Sequence, residues 1–231
     1  MNVALKYKPF GICDVIYPSI AVERRITAYA NKDITGHLIL HGTNGTGKTS
    51  VADLLPLAIN GEDSHIERLD FKEFLSKDNL TEYIFNGCGW ARLNGQKYII
   101  IFHEFDNAST NNLSTFWNTL DKCGDDIMLI ITTNNPMKIH PSIRSRCDLI
   151  EFPAVSAQRM LARAQFILKN EGVILTDQQV LHYLKTVEYK GDLRAYLKVL
   201  DEIIYMQAQS LPLPPVPSVT IQVKPKLVKV Q

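Results

Sequence analysis

The sequence predicts an α/β fold: a parallel sheet wrapped by helices, followed by a small all-helical subdomain. Three observations predict it. Gly42-Thr-Asn-Gly-Thr-Gly-Lys48-Thr49 fits the spacing G-x-x-x-x-G-K-[ST] at every fixed position, between a short apolar run and a helical pattern. Two more runs, Lys97 to Phe102 and Ile127 to Thr132, are short and uniformly apolar, which suits strands buried on both faces of a parallel sheet. After Pro153 the pattern becomes helical only.

The elements follow in order. Ile20 to Asn31 has helical spacing and ends near Gly36. His37 to His41 reads as a buried strand, and Thr49 to Leu55 as the helix that leaves the glycine-rich loop. Pro56 lacks an N–H and clashes with the preceding turn, so that helix is expected to stop or kink there. Phe71 to Phe85 and Ala108 to Cys123 have helical spacing. In the last part, Ser156 opens a helix to about Asn170. Thr176 with Gln179 forms a capping box, and Gly191-Asp192 opens a third helix with Leu193, Leu197, Leu200 and Ile204 on one face. Five of the eleven prolines fall in the last 22 residues, so 210–231 is expected to be a disordered tail. The expected domain division is 1–153 for the α/β part, 154–209 for the small helical subdomain and 210–231 for the tail.

At 231 residues the chain is long enough to bury a real core. Its 25 Lys plus Arg against 24 Asp plus Glu exclude an overall basic field, so any nucleic-acid contact must be a local patch. Arg92, Lys97 and Lys72 are candidates for such a patch, although each also reads as an ordinary solvated charge. Cys13, Cys88, Cys123 and Cys147 lie far apart, with no C-x-x-C pair, which argues against zinc and against a disulfide framework. No apolar leader and no segment of membrane-spanning length is present, so a cytoplasmic location and no membrane partner are expected.

The loop carries chemistry because its glycines let backbone N–H groups turn inward around a phosphate, and the next helix adds its positive N-terminus. Gly42, Thr43, Asn44, Gly45, Thr46, Gly47, Lys48, Thr49 and Ser50 are the expected ATP-binding residues. Lys48 would reach the β- and γ-phosphates, and the Thr49 hydroxyl would bind a magnesium ion. The strand Tyr98 to Phe102 runs into His103-Glu104-Phe105-Asp106. Glu104 sits where a general base for the attacking water belongs. His103 sits where an acid for magnesium belongs, and a neutral imidazole suits that hard cation poorly. Asp106, or His103 through a water, is the remaining candidate for the metal. Asn134, at the tip of the next strand, is placed to reach the γ-phosphate or the water, and is chosen over Asn135; a turn asparagine before Pro136 would look the same. Arg146, in an exposed basic loop, suits a finger that acts in trans on another subunit's ATP, or a plain surface charge.

These pieces, in this order, resemble the AAA+ ATPases of the clamp-loader branch, the replication factor C small subunits and related clamp-loader ATPase subunits. The resemblance runs from about residue 5 to residue 206. Gly42 to Thr49 matches the Walker A loop, Tyr98 to Asp106 matches Walker B except at His103, and Asn134 falls on the sensor-1 position. Ser145-Arg146-Cys147 reproduces the Ser-Arg-Cys motif, and Gly191-Asp192-Leu193-Arg194 matches the lid motif that makes Arg194 the sensor-2 arginine. Lys6 to Pro9 with Asp14-Val15-Ile16 is similar to the branch's N-terminal element, which implies that Pro9, Val15 and Ile16 lie against the adenine.

The resemblance implies an ATP-dependent loader or switch acting in DNA replication. ATP and Mg2+ are its cofactors, and its partners are other AAA+ subunits, DNA, and a sliding clamp or replicative helicase. A helicase loader or mobile-element replication factor is the alternative within the class, and a non-hydrolysing, ATP-binding structural subunit is the alternative outside it. The branch continues into a helical collar. Here the chain turns proline-rich at Ser210, so assembly without a collar is the expectation. Gln209 to Leu213 looks like a shortened clamp-binding peptide, or is an ordinary linker. Val219, Ile221 and Val223 alternate as a strand added to a partner's sheet would.

Overall fold

The computed structural model describes residues 2–62, 64, 66–75, 77–105 and 113–215. Asp106, Val219, Ile221 and Val223 therefore lie outside the described residues, as does the start of the expected helix from Ala108.

Among the described residues five strands form one parallel sheet: β1 (His37–His41), β2 (Ile66–Arg68), β3 (Tyr98–Phe102), β4 (Ile127–Thr133) and β5 (Cys147–Glu151), in the spatial order β2-β3-β4-β1-β5. The apolar runs are strands because both of their faces are covered. Ile39, Ile100, Phe102, Leu129 and Ile131 point into one cluster with the aromatic rings of Phe71, Phe74, Phe105, Phe116 and Trp117. Their neighbours Leu38, Leu40, Ile99, Ile101 and Ile130 point into a second cluster with Ile26, Val51 and Leu55. Alternate side chains thus enter opposite cores, as period-2 geometry requires.

The helices are α1 (Val3–Lys6), α2 (Ile20–Ala30), α3 (Lys48–Asn60), α4 (Phe71–Leu75), α5 (Leu80–Leu93), α6 (Leu113–Cys123), α7 (Pro141–Arg144), α8 (Ala157–Asn170), α9 (Asp177–Lys185) and α10 (Leu193–Ala208). The lid helices begin where their caps predict: Ser156 accepts from Arg159 N, Thr176 and Gln179 form the capping box, and the Asp192 side chain accepts from Arg194 N.

Three local expectations are corrected. Helix α3 does not stop at Pro56 but runs through it to Asn60. A mid-helix proline costs about 3 kcal/mol. Val51, Ala52, Leu55 and Ile59 are each at most 5% exposed under the sheet, and burying each large apolar side chain is worth about 1.5–3 kcal/mol, which outweighs that cost. The helical spacing from Phe71 to Phe85 resolves into two helices, because Asn79 takes a left-handed φ of 57° between them. The start of the tail is also not free. Leu213 packs on the lid core, and the Tyr183 hydroxyl donates to the Pro214 carbonyl at 2.8 Å.

A third core holds the lid helices α8, α9 and α10, and the N-terminal segment joins it. Val3 is buried there, its amide donates to Asp201 Oδ1 at 2.9 Å, and Lys6 pairs with Glu171 at 2.6 Å. Residues 2–9 therefore act as a strap between the lid and the sheet domain.

Candidate nucleotide-binding cleft

The strand order places the carboxyl ends of β3, β4 and β1 side by side, where ligands bind in open α/β sheets. Each strand contributes there: β1 leads into the phosphate loop, β3 into Glu104, and β4 into Asn134. The loop is shaped by Gly45 and Gly47, at φ of 71° and 95°, and Gly47 caps α3 so that the helix N-terminus lies under the loop. Thr46 is fully buried and its hydroxyl donates to the Thr43 carbonyl at 3.0 Å, which braces the turn.

One cleft between the sheet domain and the lid is lined by Asn44, Gly45, Thr46, Gly47, Lys48, Thr49 and Ser50. Pro9, Val15 and Ile16 also line it, as do Glu104, Asn134 and Arg194. Gly42 and Thr43 do not line it. Their carbonyls accept from Lys48 Nζ at 2.9 and 2.5 Å, so in this state the lysine closes the loop on itself. Burial lowers the proton affinity of Lys48, and the neighbouring positive charge of Arg194 lowers it further. Arg146 lies outside this cleft, exposed between α7 and β5.

The two neighbouring asparagines separate by role. Asn134 is exposed and faces the cleft, while Asn135 Oδ1 accepts from Met137 N at 2.9 Å and caps the next turn. Glu104 is exposed and sits at a left-handed φ of 51°, which is uncommon for a residue with a Cβ. Thr132 holds it there: its hydroxyl accepts from Glu104 N at 3.2 Å and its carbonyl from Phe105 N at 2.9 Å.

His103 does not line the cleft. Its Nε2 lies 3.5 Å from Asp53 Oδ1 and its Nδ1 lies 3.5 Å from the Thr132 hydroxyl. Asp53 also accepts from Arg68 Nε at 2.9 Å, and these partners, His103 first, hold its carboxyl below the usual range. Of the donors expected for magnesium, the Thr49 hydroxyl fits. His103 does not, because it is neither oxygen-bearing nor among the residues lining the cleft. Among the described residues no group of three His, Cys, Asp or Glu could hold a metal ion.

Several lining residues were not singled out as site residues from sequence, among them Tyr7, Lys8, Asp14, Thr132 and Arg163. Tyr7, Lys8 and Asp14 lie inside the motif segments read for Pro9 and Val15. Arg163, on α8, has no local signature; it enters the cleft because the lid folds over and its Nη2 donates to the Tyr7 carbonyl at 3.1 Å. Arg92, considered for nucleic acid, is paired with Asp126.

A parallel sheet, a phosphate loop at the end of β1 and a helical lid over it define a P-loop nucleotide-binding protein. Residues 38–154 match the ATPase family associated with various cellular activities (AAA), and the chain belongs to that family. It is 30% identical over 209 residues to the sliding-clamp-loader large subunit of Escherichia phage RB69, covering 85% of this chain and 62% of that one. It is 27% identical over 212 residues to the replication factor C small subunit of Methanosarcina mazei, covering 88% of this chain and 61% of that one. The chain thus spans less than two thirds of these relatives. A solved RuvB variant from Thermotoga maritima shares the fold, with a TM-score of 0.65 at 13% identity over 89% of this chain and 68% of that chain. Among the described residues no helix is long and apolar enough to cross a membrane.

Proposed function

We propose that the chain is an ATP-dependent loader subunit of DNA replication, working in an oligomer of AAA subunits whose geometry is set by ATP. One observation carries the nucleotide part. Lys48 from the loop and Arg194 from the lid line one cleft and repel each other, so a polyanion between them is stabilised by both. ATP binding would draw Lys48 from the Gly42 and Thr43 carbonyls to the phosphates, while Pro9, Val15 and Ile16 cover the base. Glu104 accepts the proton of the attacking water and Asn134 orients that water. Arg146 acts in the neighbour's cleft, as its position outside its own cleft favours. Loss of the γ-phosphate frees Arg194 and Arg146 together, and the lid and the next subunit then shift. The clamp-loader relatives support other AAA subunits, DNA and a sliding clamp as partners.

The experiment is mass measurement with ATP and primed DNA, alongside single-turnover hydrolysis. Multisubunit assembly and DNA-stimulated hydrolysis are expected; a monomer under all conditions would sink the loader reading. The capture of His103 by Asp53 favours a second reading, a subunit that binds ATP without turnover. That reading predicts assembly with ATP and no hydrolysis.

A further inference from the structure

Arg146 is not a free surface side chain. Its guanidinium carbon lies over the Trp117 ring, 5.2 Å from the ring centroid, and its Nη1 donates to the Ser142 carbonyl at 3.2 Å. Trp117 is itself buried. It is 3% exposed, on α6, with Phe116 5.1 Å away on one side and the His37 ring 6.1 Å away on another. A free arginine loses rotamer entropy when it is ordered. Here the guanidinium is held over an indole and by a backbone carbonyl, on a side chain that is otherwise exposed.

We infer that Trp117 is the positioning residue for Arg146, holding the guanidinium in the orientation in which it meets the anionic phosphates of a nucleotide bound by a neighbouring copy or AAA subunit. The inference rests on the proposed action of Arg146 in trans. Trp117 itself touches no nucleotide, since it is buried and lies outside the cleft of its own chain. Its contribution is preorganisation, worth about a three- to tenfold rate effect for a partly desolvated cation–π contact. That contact needs only an aromatic face, so tyrosine in place of tryptophan retains it in part.

The test has two parts, both in the full chain. The first compares hydrolysis by the assembled protein, with ATP and primed DNA, for Arg146→Ala, Trp117→Leu, Trp117→Tyr and the double variant Trp117→Leu with Arg146→Ala. Trp117→Leu should lower kcat about three- to tenfold with KM unchanged. Trp117→Tyr should recover most of that loss, and the double variant should be no slower than Arg146→Ala alone. If the Trp117→Leu factor persists in full on the Arg146→Ala background, Trp117 acts only through the core and the inference falls. If Arg146→Ala leaves hydrolysis unchanged, the trans reading falls first and takes the inference with it. The second part avoids any change at Trp117. The chain has two tryptophans, and Trp90 is 66% exposed, so Trp90→Phe leaves Trp117 as the sole reporter. Adding Arg146→Ala to that variant should shift Trp117 emission and raise its quenching by acrylamide. Unchanged emission and quenching would overturn the stack itself.

Discussion

The Leu193 amide donates to the Gly45 carbonyl at 3.0 Å, so the first turn of the lid helix α10 is bonded directly to the phosphate loop. Asp192, which caps that helix, lies against the same glycine: a Cβ added at Gly45 would sit 1.8 Å from Asp192 Oδ1. Loop and lid therefore move as neighbours, and Arg194, one residue further on, enters the cleft from that attachment.

Gly45→Ala should break this contact. The added methyl meets Asp192, and the φ of 71° adds about 1–2 kcal/mol of backbone strain for a residue with a Cβ. We expect ATP-analogue affinity to fall at least about tenfold as the lid is pushed from the loop. Calorimetric titration checks this, and undiminished affinity would show that the attachment does not shape the cleft.

Thr132→Val keeps the shape of the side chain and removes the oxygen that accepts from Glu104 N. An orphaned amide costs about 1–3 kcal/mol, and Glu104 loses its reason to hold the left-handed turn. Single-turnover hydrolysis should fall about tenfold or more with nucleotide binding intact, and Thr132→Ser should restore it. Glu104→Gln is the control and should abolish the chemical step; if it does not, Glu104 is not the base.

His103→Asp returns an acid to the end of β3 and removes one of the two partners of Asp53, leaving Arg68. Turnover should rise and become steeper in magnesium concentration, while the melting temperature falls slightly through repulsion between the two carboxylates. A variant with unchanged turnover would show that the imidazole does not limit the reaction.

His37 offers a pH test of the fold. Leu129 N donates to its Nδ1 at 3.2 Å, and burial lowers its pKa from 6.5 to about 4. The folded state thus binds fewer protons than the unfolded state between those values. The associated stability is complete above pH 6.5 and is lost as pH falls toward 4, by up to about 3 kcal/mol. Denaturant titrations of the wild type and of His37→Gln should converge in slope above pH 6.5 and differ below it. Parallel pH profiles throughout would contradict the assignment.

The elements read from sequence share one property: their cause is local. The phosphate loop and its lysine are specified within the eight residues Gly42 to Thr49, and the buried strands by uninterrupted apolar runs. The lid helices carry their own caps. Strand β5 escaped because Cys147-Asp-Leu-Ile-Glu is an edge strand, with Leu149 41% exposed, so its pattern lacks the apolar run of an interior strand. Its pairing with β1 is what makes it a strand at all.

By itself, then, the sequence determined that an anion-binding loop sits between a strand and a helix in a parallel α/β domain with a helical appendage. Only the tertiary structure decided what surrounds that loop. Arg194 and Arg163 lie 146 and 115 residues beyond Lys48 in the chain, and reach its cleft because the lid packs there. His103 is drawn to Asp53 and Thr132 by partners that strand pairing and helix packing bring near. Helix α3 overrides Pro56 because the sheet buries its apolar face. In each case the deciding energy is a contact between distant segments, which no window of local sequence contains.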